Sequence, residues 1–192
     1  MISIDPKTTA LVLIDLQNGI ISGTYAPRSG AEVLETCRAV AVQFRQAGAP
    51  VVLVNVAWAA DFGDALPQKV DQPPQRPERG LPKDWSSLAR GLARTGDIRV
   101  TKRQWGAFHG TELDLQLRRR GIETIVLGGL VTNFGVESTA RQAWERGYET
   151  ILLKDACSAP SAELHDLAFR YIFPRIGRVT TSGALRFAAP EG

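Results

Sequence analysis

Three short stretches of this sequence are almost continuously apolar, and they constrain the fold more than any other feature. They are TALVLI at 9–14, PVVLVNV at 50–56 and TIVLGGL at 124–130. A strand with one face in water alternates apolar and polar residues, whereas a strand covered on both faces is apolar throughout. The three stretches therefore predict parallel strands with helices on both faces of their sheet.

Further β-rich stretches and helical patterns alternate with these runs. The stretches are IRVTK at 98–102, TILLK at 150–154 and GRVTT at 177–181. Apolar residues recur at helical spacing within 31–47, 113–117, 136–144 and 164–172, and Thr111 followed by Asp114 has the pattern of a helix N-cap. Strands that alternate with helices through short connections are typical of an open, doubly wound α/β sheet.

One connection is much longer than the others. Residues 57–97 contain prolines at positions 67, 73, 74, 77 and 82 and show only weak periodicity. A segment of this length is commonly a functional lid or an oligomer contact. Because 192 residues suit one domain with a sizeable core, we predict a single domain over residues 1–192 that includes this segment.

Composition argues against several classes of protein. The net charge is only +3, and the dense basic run 118–120 closes a predicted helix whose dipole it complements, so we expect no nucleic-acid partner. Cys37 and Cys157 are too few for a disulfide framework. The first apolar run is cut by Asp15, and no stretch approaches the roughly 18 apolar residues of a membrane span. We therefore expect no membrane contact and a cytoplasmic location.

Charged residues stand directly after two of the predicted strands. Asp15 follows the first apolar run and Lys102 ends the third predicted strand. Ligands of open parallel sheets bind beyond the carboxyl ends of the strands. An unpaired buried charge is costly to desolvate, so each residue would supply the counter-charge that the other needs. The alternatives are a turn or N-cap aspartate and a surface lysine.

A glycine-bearing turn, GGLVTNFG at 128–135, follows the third apolar run. Its glycines do not form the G-x-G-x-x-G pattern of a dinucleotide loop. Backbone N–H groups near Gly135, at the start of a helix, would point into the crevice and bind a carbonyl or carboxylate oxygen. Close packing against a neighbouring element is the alternative role of Gly128 and Gly129.

Other side chains give weaker indications of a functional role. Cys157 resembles a nucleophile, but no activating base is evident nearby in the sequence, and we favour a small structural thiol. His109 and His165 stand far apart without metal-ligand spacing. Trp58 and Trp105 lie just past strand ends, where they either wall a pocket or pack in the core.

These residues occur in an order that resembles a known family. ALVLIDLQNG at 10–19 and the stretch 102–159, with GGLVTNFGVESTA inside it, are similar to the isochorismatase-like hydrolase superfamily. The resemblance covers nearly the whole chain and is weakest over 57–97. It implies a three-layer α/β/α Rossmann-like fold with a central six-stranded parallel sheet, and a homo-oligomer, either a dimer or a tetramer. It also implies a non-proline cis peptide bond just before Thr132.

Many members of this superfamily are amidases with an Asp–Lys–Cys triad. The resemblance places Asp15 and Lys102 at two of these positions, and it places Gly135 where the amidases have their cysteine. Without a thiol, acyl-enzyme chemistry has no nucleophile at this position. Metal-binding members also carry an Asp/His cluster after the second strand, where this sequence has Asp61 and Asp64 without a histidine. We therefore predict no metal and no cofactor.

Isochorismatases proper also have glycine at the position of Gly135. They hydrolyse a vinyl ether and release pyruvate, a reaction that needs a proton donor but no protein nucleophile. The resemblance thus implies Asp15 as general acid with Lys102 as its partner. The glutamine that isochorismatases place after their second strand has no clear counterpart here, so the substrate could also be another enol ether or an unrelated molecule.

Three functions stay open from the sequence alone. The first is an isochorismatase-type hydrolase that acts on a small-molecule enol ether, with Asp15, Lys102 and Gly135 in the catalytic site. The second is a non-catalytic member that binds a small molecule or serves as a scaffold. The third is an amidase that uses another nucleophile, such as Cys157. Candidate substrate contacts are Gln17, Trp58, Trp105, Val131, Thr132, Asn133 and Phe134.

Overall fold

Six strands form a central parallel sheet in the computed structural model, whose described residues are 1–74 and 76–188. The strands within these ranges are β1 (Ile2–Ile4), β2 (Thr9–Ile14), β3 (Val51–Val56), β4 (Ile98–Lys102), β5 (Thr124–Leu130), β6 (Glu149–Ser158), β7 (Arg178–Thr180) and β8 (Leu185–Phe187). The sheet has the order β4-β3-β2-β5-β6-β7, and β1 pairs with β8 in a separate parallel pair. The predicted fold class is confirmed, whereas the β1–β8 pair was not predicted.

The helices connect these strands and cover both faces of the sheet. They are α1 (Asn18–Ile21), α2 (Gly30–Gln46), α3 (Leu113–Arg118), α4 (Glu137–Glu145), α5 (Ala162–Leu167) and α6 (Phe173–Ile176). Two π-helical turns, Thr132–Val136 and Ala168–Ile172, precede α4 and follow α5. Within the described residues, no helix is long and apolar enough to cross a membrane.

The central position of β2 follows from its sequence, since all six of its residues are buried. Its last residue, Ile14, is paired with Val54 of β3 on one side and with Gly129 of β5 on the other. An apolar strand can be covered on both faces only in the middle of such a sheet. The chain leaves this central strand at Asp15, which therefore emerges at the carboxyl edge between β3 and β5.

Two separate apolar clusters pack against the sheet. On one face α2 contributes Val33, Cys37 and Phe44, which pack with Leu11 and Leu13 of β2. On the other face the contributing helical residues come from α3, α4, the second π-helical turn and α6, namely Leu113, Leu117, Ala140, Ala143, Ala168, Phe169, Phe173 and Ile176. This arrangement is the predicted three-layer α/β/α architecture.

Some predictions about individual helices are wrong. The N-cap of α3 is Glu112 rather than Thr111, whose hydroxyl instead donates to the Ala107 carbonyl and accepts from the Leu113 N–H. Four apolar residues expected to line helices are exposed, because their helices present other residues to the sheet. They are Trp144, Leu164, Leu167 and Tyr171.

The long segment 57–97 has no helix or extended strand among its described residues. Its second half is nevertheless attached to the chain that follows Asp15. The N–H groups of Asn18 and Gly19 donate to the carbonyls of Ser87 and Trp85 at 2.9 Å each, and Leu88 forms an isolated bridge with Gln17. This part of the segment therefore lies at the carboxyl edge of the sheet.

Candidate active site

Asp15 and Lys102 meet in a buried ion pair at the carboxyl edge of the sheet. Lys102 Nζ lies 2.7 Å from Asp15 Oδ2, and the two residues are only 2% and 5% exposed. They belong to the ends of β2 and β4, with β3 between them. Lys102 Nζ also donates to the Trp105 carbonyl at 2.8 Å. The ammonium is thus fixed by two oxygens, and the two side chains are in direct contact.

The environment of Asp15 favours its protonated form. Burial raises the pKa of this carboxyl to about 6, although the Lys102 ammonium lowers it by charge and by hydrogen bonding. Oδ1 is buried and has no hydrogen-bond partner among the described residues. Asp15 also has a positive φ of 53°, which is uncommon for a residue other than glycine and is found frequently at functional sites. Asp15 can therefore hold and release a proton near neutral pH.

The π-helical turn Thr132–Val136 forms an elbow beside this pair. A Cβ atom placed on Gly135 would lie 3.1 Å from Asp15 Oδ2 and 2.9 Å from Ile14 Cγ2. Gly135 thus stands immediately next to the Asp15 carboxyl. The cis peptide bond of this region joins Leu130 and Val131, one bond earlier than the position predicted from the sequence. Close packing accounts for Gly129, whose Cα faces the Ile14 carbonyl of β2.

Two predicted substrate contacts form an exposed aromatic pair next to the site. The rings of Trp105 and Phe134 are 4.7 Å apart, and 61% and 36% of these residues are exposed. Their backbones are tied to the ion pair, because the Trp105 carbonyl accepts from Lys102 and Phe134 precedes Gly135. An incoming planar group could contact these rings without any rearrangement of the buried pair.

The remaining predicted contacts are already engaged within the protein to different degrees. Trp58 Nε1 donates to the Arg103 carbonyl at 2.8 Å, and its ring lies 5.7 Å from that of Trp85. Thr132 is fully buried, whereas Val131 and Asn133 are half-buried. Asn133 Oδ1 is buried and has no partner among the described residues.

Gln17 has a role that its sequence position did not reveal. Its amide donates to the Val56 carbonyl at 3.0 Å and the Trp85 carbonyl at 3.3 Å, and it accepts from the Val56 N–H at 2.8 Å. The side chain is fully buried. These contacts join the end of β3 to the long segment, so Gln17 supports the wall of the site.

Sequence reasoning missed two further side chains near the site. Tyr25 is half-buried, and burial and the nearby Asp15 carboxylate both raise the pKa of its phenol, which donates to the Ile20 carbonyl at 2.6 Å. His165 of α5 lies 2.9 Å from the Thr132 hydroxyl. No signal in the sequence joins His165 to the elbow, because 33 residues separate it from Thr132, and the local pattern around Tyr25 is ordinary.

The two cysteines lie in the core rather than in the site. Both are fully buried, and Cys37 Sγ lies 3.6 Å from the Ala156 carbonyl. Burial raises the pKa of the Cys157 thiol to about 12, and it raises that of Cys37 well above the usual value. A thiol in this state is a poor nucleophile, since the thiolate is the reactive form.

The acidic residues after β3 are engaged in local contacts. Asp64 binds the Arg103 guanidinium at 2.5 Å and accepts from the Ala59 N–H, while Asp61 accepts from the Gly63 N–H. Across residues 1–74 and 76–188, no group of three or more His, Cys, Asp or Glu side chains is placed to hold a metal ion.

Comparison with known proteins identifies the family. Residues 9–184 match the model of the isochorismatase domain. The chain belongs to the isochorismatase family of hydrolases. It is 52% identical over 180 residues to the isochorismatase family protein YecD of Escherichia coli O157:H7, a match that covers 93% of this chain and 95% of the relative.

Two other relatives extend this comparison. The structure of an isochorismatase family protein from Burkholderia thailandensis matches with a TM-score of 0.90 and 44% identity and covers 95% of each chain. The ureidoacrylate amidohydrolase RutB of Methylobacterium radiotolerans is 33% identical over 211 residues, which cover 97% of this chain and 81% of RutB. The isochorismatase family thus includes, among these relatives, a protein named for amide hydrolysis.

Proposed function

We propose that this isochorismatase family member hydrolyses a small enol ether by acid catalysis at Asp15, without a covalent intermediate. The observation that carries the proposal is a protonatable carboxyl beside a glycine. The pKa of Asp15 is raised to about 6 by burial, and its Oδ2 is 3.1 Å from the point where a side chain on Gly135 would begin. A general acid is therefore available next to a site that lacks a thiol.

The hydrogen bonding of Asp15 supports a specific proton position. Oδ2 accepts from the Lys102 ammonium at 2.7 Å, so this oxygen cannot also carry the acidic proton while it faces that donor. Oδ1 has no partner among the described residues and is the oxygen left to carry the proton. Lys102 thus orients the carboxyl and keeps its acidity in a useful range.

The proposed reaction needs only a proton and water. Asp15 Oδ1–H protonates the terminal CH₂ of an enolpyruvyl ether, which gives an oxocarbenium ion and the Asp15 carboxylate. Water adds to this cation and returns one proton to Asp15, and the resulting hemiketal loses the alcohol to give pyruvate. Every atom of the products comes from the ether and one water molecule, and no protein atom becomes bonded to the substrate.

The states of the cysteines support this route over nucleophilic catalysis. Cys157 and Cys37 are fully buried, and the pKa of the Cys157 thiol is raised to about 12. Covalent acyl transfer through either thiol would require exposure and deprotonation of a core residue. Amide hydrolysis, the activity named for RutB, is therefore a comparison arm of the test rather than a second proposal.

The proposal includes a homo-oligomer, either a dimer or a tetramer, of this single-domain chain. It rests on large apolar side chains that a lone chain leaves exposed, in the long segment and on the last helices. They are Leu66, Val70, Leu164, Leu167 and Tyr171. Contact between copies would remove them from water, since such exposed groups are common at interfaces. Light scattering of the purified protein measures the mass directly.

The test uses a panel of enolpyruvyl ethers, with isochorismate among them, and an equal panel of amides. We expect release of pyruvate and, in D₂O, one deuterium in its methyl group, because the proton that adds to the CH₂ carbon comes from an exchangeable acid. Asp15→Asn is expected to reduce kcat by at least about 10²-fold. Asp71→Asn, which changes an exposed aspartate of the long segment, is the matched control and should keep full activity.

Two catalytic results and one binding result would contradict the proposal. The first is full activity of Asp15→Asn on a substrate that the wild-type protein hydrolyses. The second is turnover of amides but not of enol ethers, with trapping of an acyl group on a cysteine. Binding of an enolpyruvyl ether without turnover would assign the protein to the non-catalytic alternative.

A further inference from the structure

A buried histidine supports the elbow and takes no part in the proposed proton transfer. His165 is completely buried in α5, and its Nδ1 lies 2.9 Å from the hydroxyl of Thr132, which is also completely buried. Thr132 is the first residue of the elbow turn. The centre of the His165 ring lies 4.6 Å from that of Phe169, with the two rings tilted. His165 and Thr132 are 33 residues apart in sequence, so this contact joins two otherwise separate elements.

The surroundings determine the charge of His165. Burial is the main cause that lowers the pKa of its imidazole to about 4. Lys154 of β6 and Arg28, before α2, lower the pKa further, whereas the neighbouring carboxylate of Asp166 raises it. The ring is therefore neutral at physiological pH and has one N–H donor and one bare nitrogen.

The hydrogen bonds determine which nitrogen carries the proton. Nε2 is buried and has no partner among the described residues. A buried N–H without an acceptor is rarer and more costly than a buried lone pair without a donor. The tautomer that leaves no N–H of His165 unpaired has its proton on Nδ1, from which it donates to the Thr132 hydroxyl oxygen.

The elbow is held near both ends, and the residue held near its far end also lies beside Asp15. At its start, Thr132 is bound by His165. At its end, the hydroxyl of Thr139 in α4 donates to the Gly135 carbonyl at 2.7 Å and accepts from the Ala107 N–H at 3.1 Å. The same residue, Gly135, faces Asp15 Oδ2.

We propose that His165 is a positioning residue of the active site, which as its neutral Nδ1–H tautomer holds Thr132 and keeps the elbow closed against Asp15. The kinetic part of this inference rests on the proposed function, since it assumes that Asp15 is the acid. The contact and its effect on the Asp15 carboxyl do not depend on the reaction.

The first experiment measures the site without a substrate. We compare His165→Asn, which keeps an amide at the position of Nδ1, with His165→Gln, which extends past it, and Thr132→Ser with Thr132→Val. Carbon NMR of the Asp15 carboxyl reports its pKa in each variant. Because an open elbow admits water and reduces desolvation, His165→Gln and Thr132→Val should lower this pKa by about one unit. His165→Asn and Thr132→Ser should leave it near the wild-type value.

Nitrogen NMR of the wild-type protein tests the tautomer directly. The expected spectrum has a protonated Nδ1 and an unprotonated Nε2, with no titration of His165 between pH 5 and 8. A proton on Nε2, or an unchanged pKa of Asp15 in both His165→Gln and Thr132→Val, would overturn the inference. If His165→Gln does not fold, the comparison of Thr132→Ser with Thr132→Val alone tests the inference, because both of these variants keep the histidine.

The second experiment measures kcat and KM for the same variants. A misplaced elbow should reduce kcat by about 10- to 100-fold with little change in KM, and the double variant His165→Gln/Thr132→Val should be no worse than either single one. Equal loss in His165→Asn and His165→Gln would indicate a purely structural histidine. If Asp15→Asn keeps full activity while the NMR results are as expected, the proposed function fails and the positioning role stands.

Discussion

At the scale of single residues, the chemistry depends on two opposing effects on the pKa of Asp15. Burial raises the pKa of this carboxyl, and the Lys102 ammonium at 2.7 Å lowers it, with a result of about 6. Burial alone would raise the pKa so far that the carboxyl would not release its proton at neutral pH. Full exposure would leave Asp15 ionised. The pair thus produces an acid whose pKa lies close to the working pH, where general acids are most effective.

The pH dependence of kcat/KM should report this pKa. A general acid is active when protonated, so we expect a plateau below about pH 6 and a tenfold decrease for each further pH unit, because the pKa of Asp15 is about 6. Initial rates at low substrate concentration measure this profile. A profile that rises through pH 6 would instead identify Asp15 as a base.

Removal of the ammonium should move the falling limb of that profile to higher pH. In Lys102→Met the attractive charge that lowers the Asp15 pKa is lost while burial remains, so the limb should shift upward by about one unit or more. The maximal rate should also decrease, because the carboxyl loses its orientation. Lys69→Met, which changes an exposed lysine, is the control and should keep the wild-type profile.

At the scale of elements, the elbow lies very close to β2 at Gly135, a residue without a side chain. The turn Thr132–Val136 brings Gly135 so near to β2 that a Cβ would be 2.9 Å from Ile14 Cγ2. A small movement of this methyl group would admit a side chain, which would then point at Asp15. The geometry of a nucleophile position is thus present, although the residue there is glycine.

Introduction of a thiol at the elbow tests this geometry. We expect Gly135→Cys to fold with a loss of about 1–3 kcal/mol, since Ile14 must shift. The new thiol should react with about one equivalent of iodoacetamide per chain and give a burst with p-nitrophenyl acetate, because it lies next to a carboxyl that can accept its proton. Labelling followed by mass spectrometry locates the modified residue.

Two variants complete this test. Gly135→Ala should show the same loss of stability without labelling, and Asp15→Asn in the Gly135→Cys protein should remove the burst. Labelling of Cys37 or Cys157 at the same rate would show that the core, rather than the elbow, had opened.

The sequence contained the information for the sheet but only part of that for the site. The apolar run of β2 predicted a central strand, since only burial on both faces explains such a run. The pair β1–β8 consists of two three-residue strands and carries no comparable pattern. The contact of His165 with Thr132 depends on how α5 docks after the chain has folded, and no local pattern encodes that geometry.

The same limit explains the errors on the helix faces. Apolar spacing predicted that Leu164, Leu167 and Tyr171 would face the core together with Ala168. Of these four only Ala168 is buried, and His165, which was not part of the stripe, is buried as well. The helical pattern identifies an apolar stripe but cannot tell which partner covers it. Gln17 was predicted as a substrate contact, and the sequence did not indicate that its amide binds the backbone of Val56 and Trp85.

At the scale of the whole molecule, two buried groups affect stability in opposite directions. The pKa of Asp15 is raised from 3.8 to about 6 in the folded chain, so its contribution to stability decreases as pH rises through this range. The pKa of His165 is lowered from 6.5 to about 4, so its contribution increases as pH rises from 4 to 6.5. Between about pH 4 and 6 the two effects largely cancel.

Single substitutions should reveal each effect. Relative to the wild type, the melting temperature of Asp15→Asn should rise with pH between 4 and 6, and that of His165→Asn should fall over the same range, each by roughly 5 °C. Differences from the wild type are compared because other carboxylates, such as Asp64 and Asp166, also titrate in the folded chain with lowered pKa values. Parallel curves for the two variants would contradict the assignment.

The contact between Gly19 and Trp85 fixes one part of the long segment, whereas the sequence of another part of this segment can vary. The Trp85 ring occupies the space above Gly19, where a Cβ would come within 2.0 Å of it, and this contact holds the segment to the chain after Asp15. Residues 66–74 and 76–79, which precede Trp85 in the same segment, are all exposed. Mutation of the polar residues in these ranges can therefore change the surface of the long segment, by selection or by library design, while the acid and its partner stay in place.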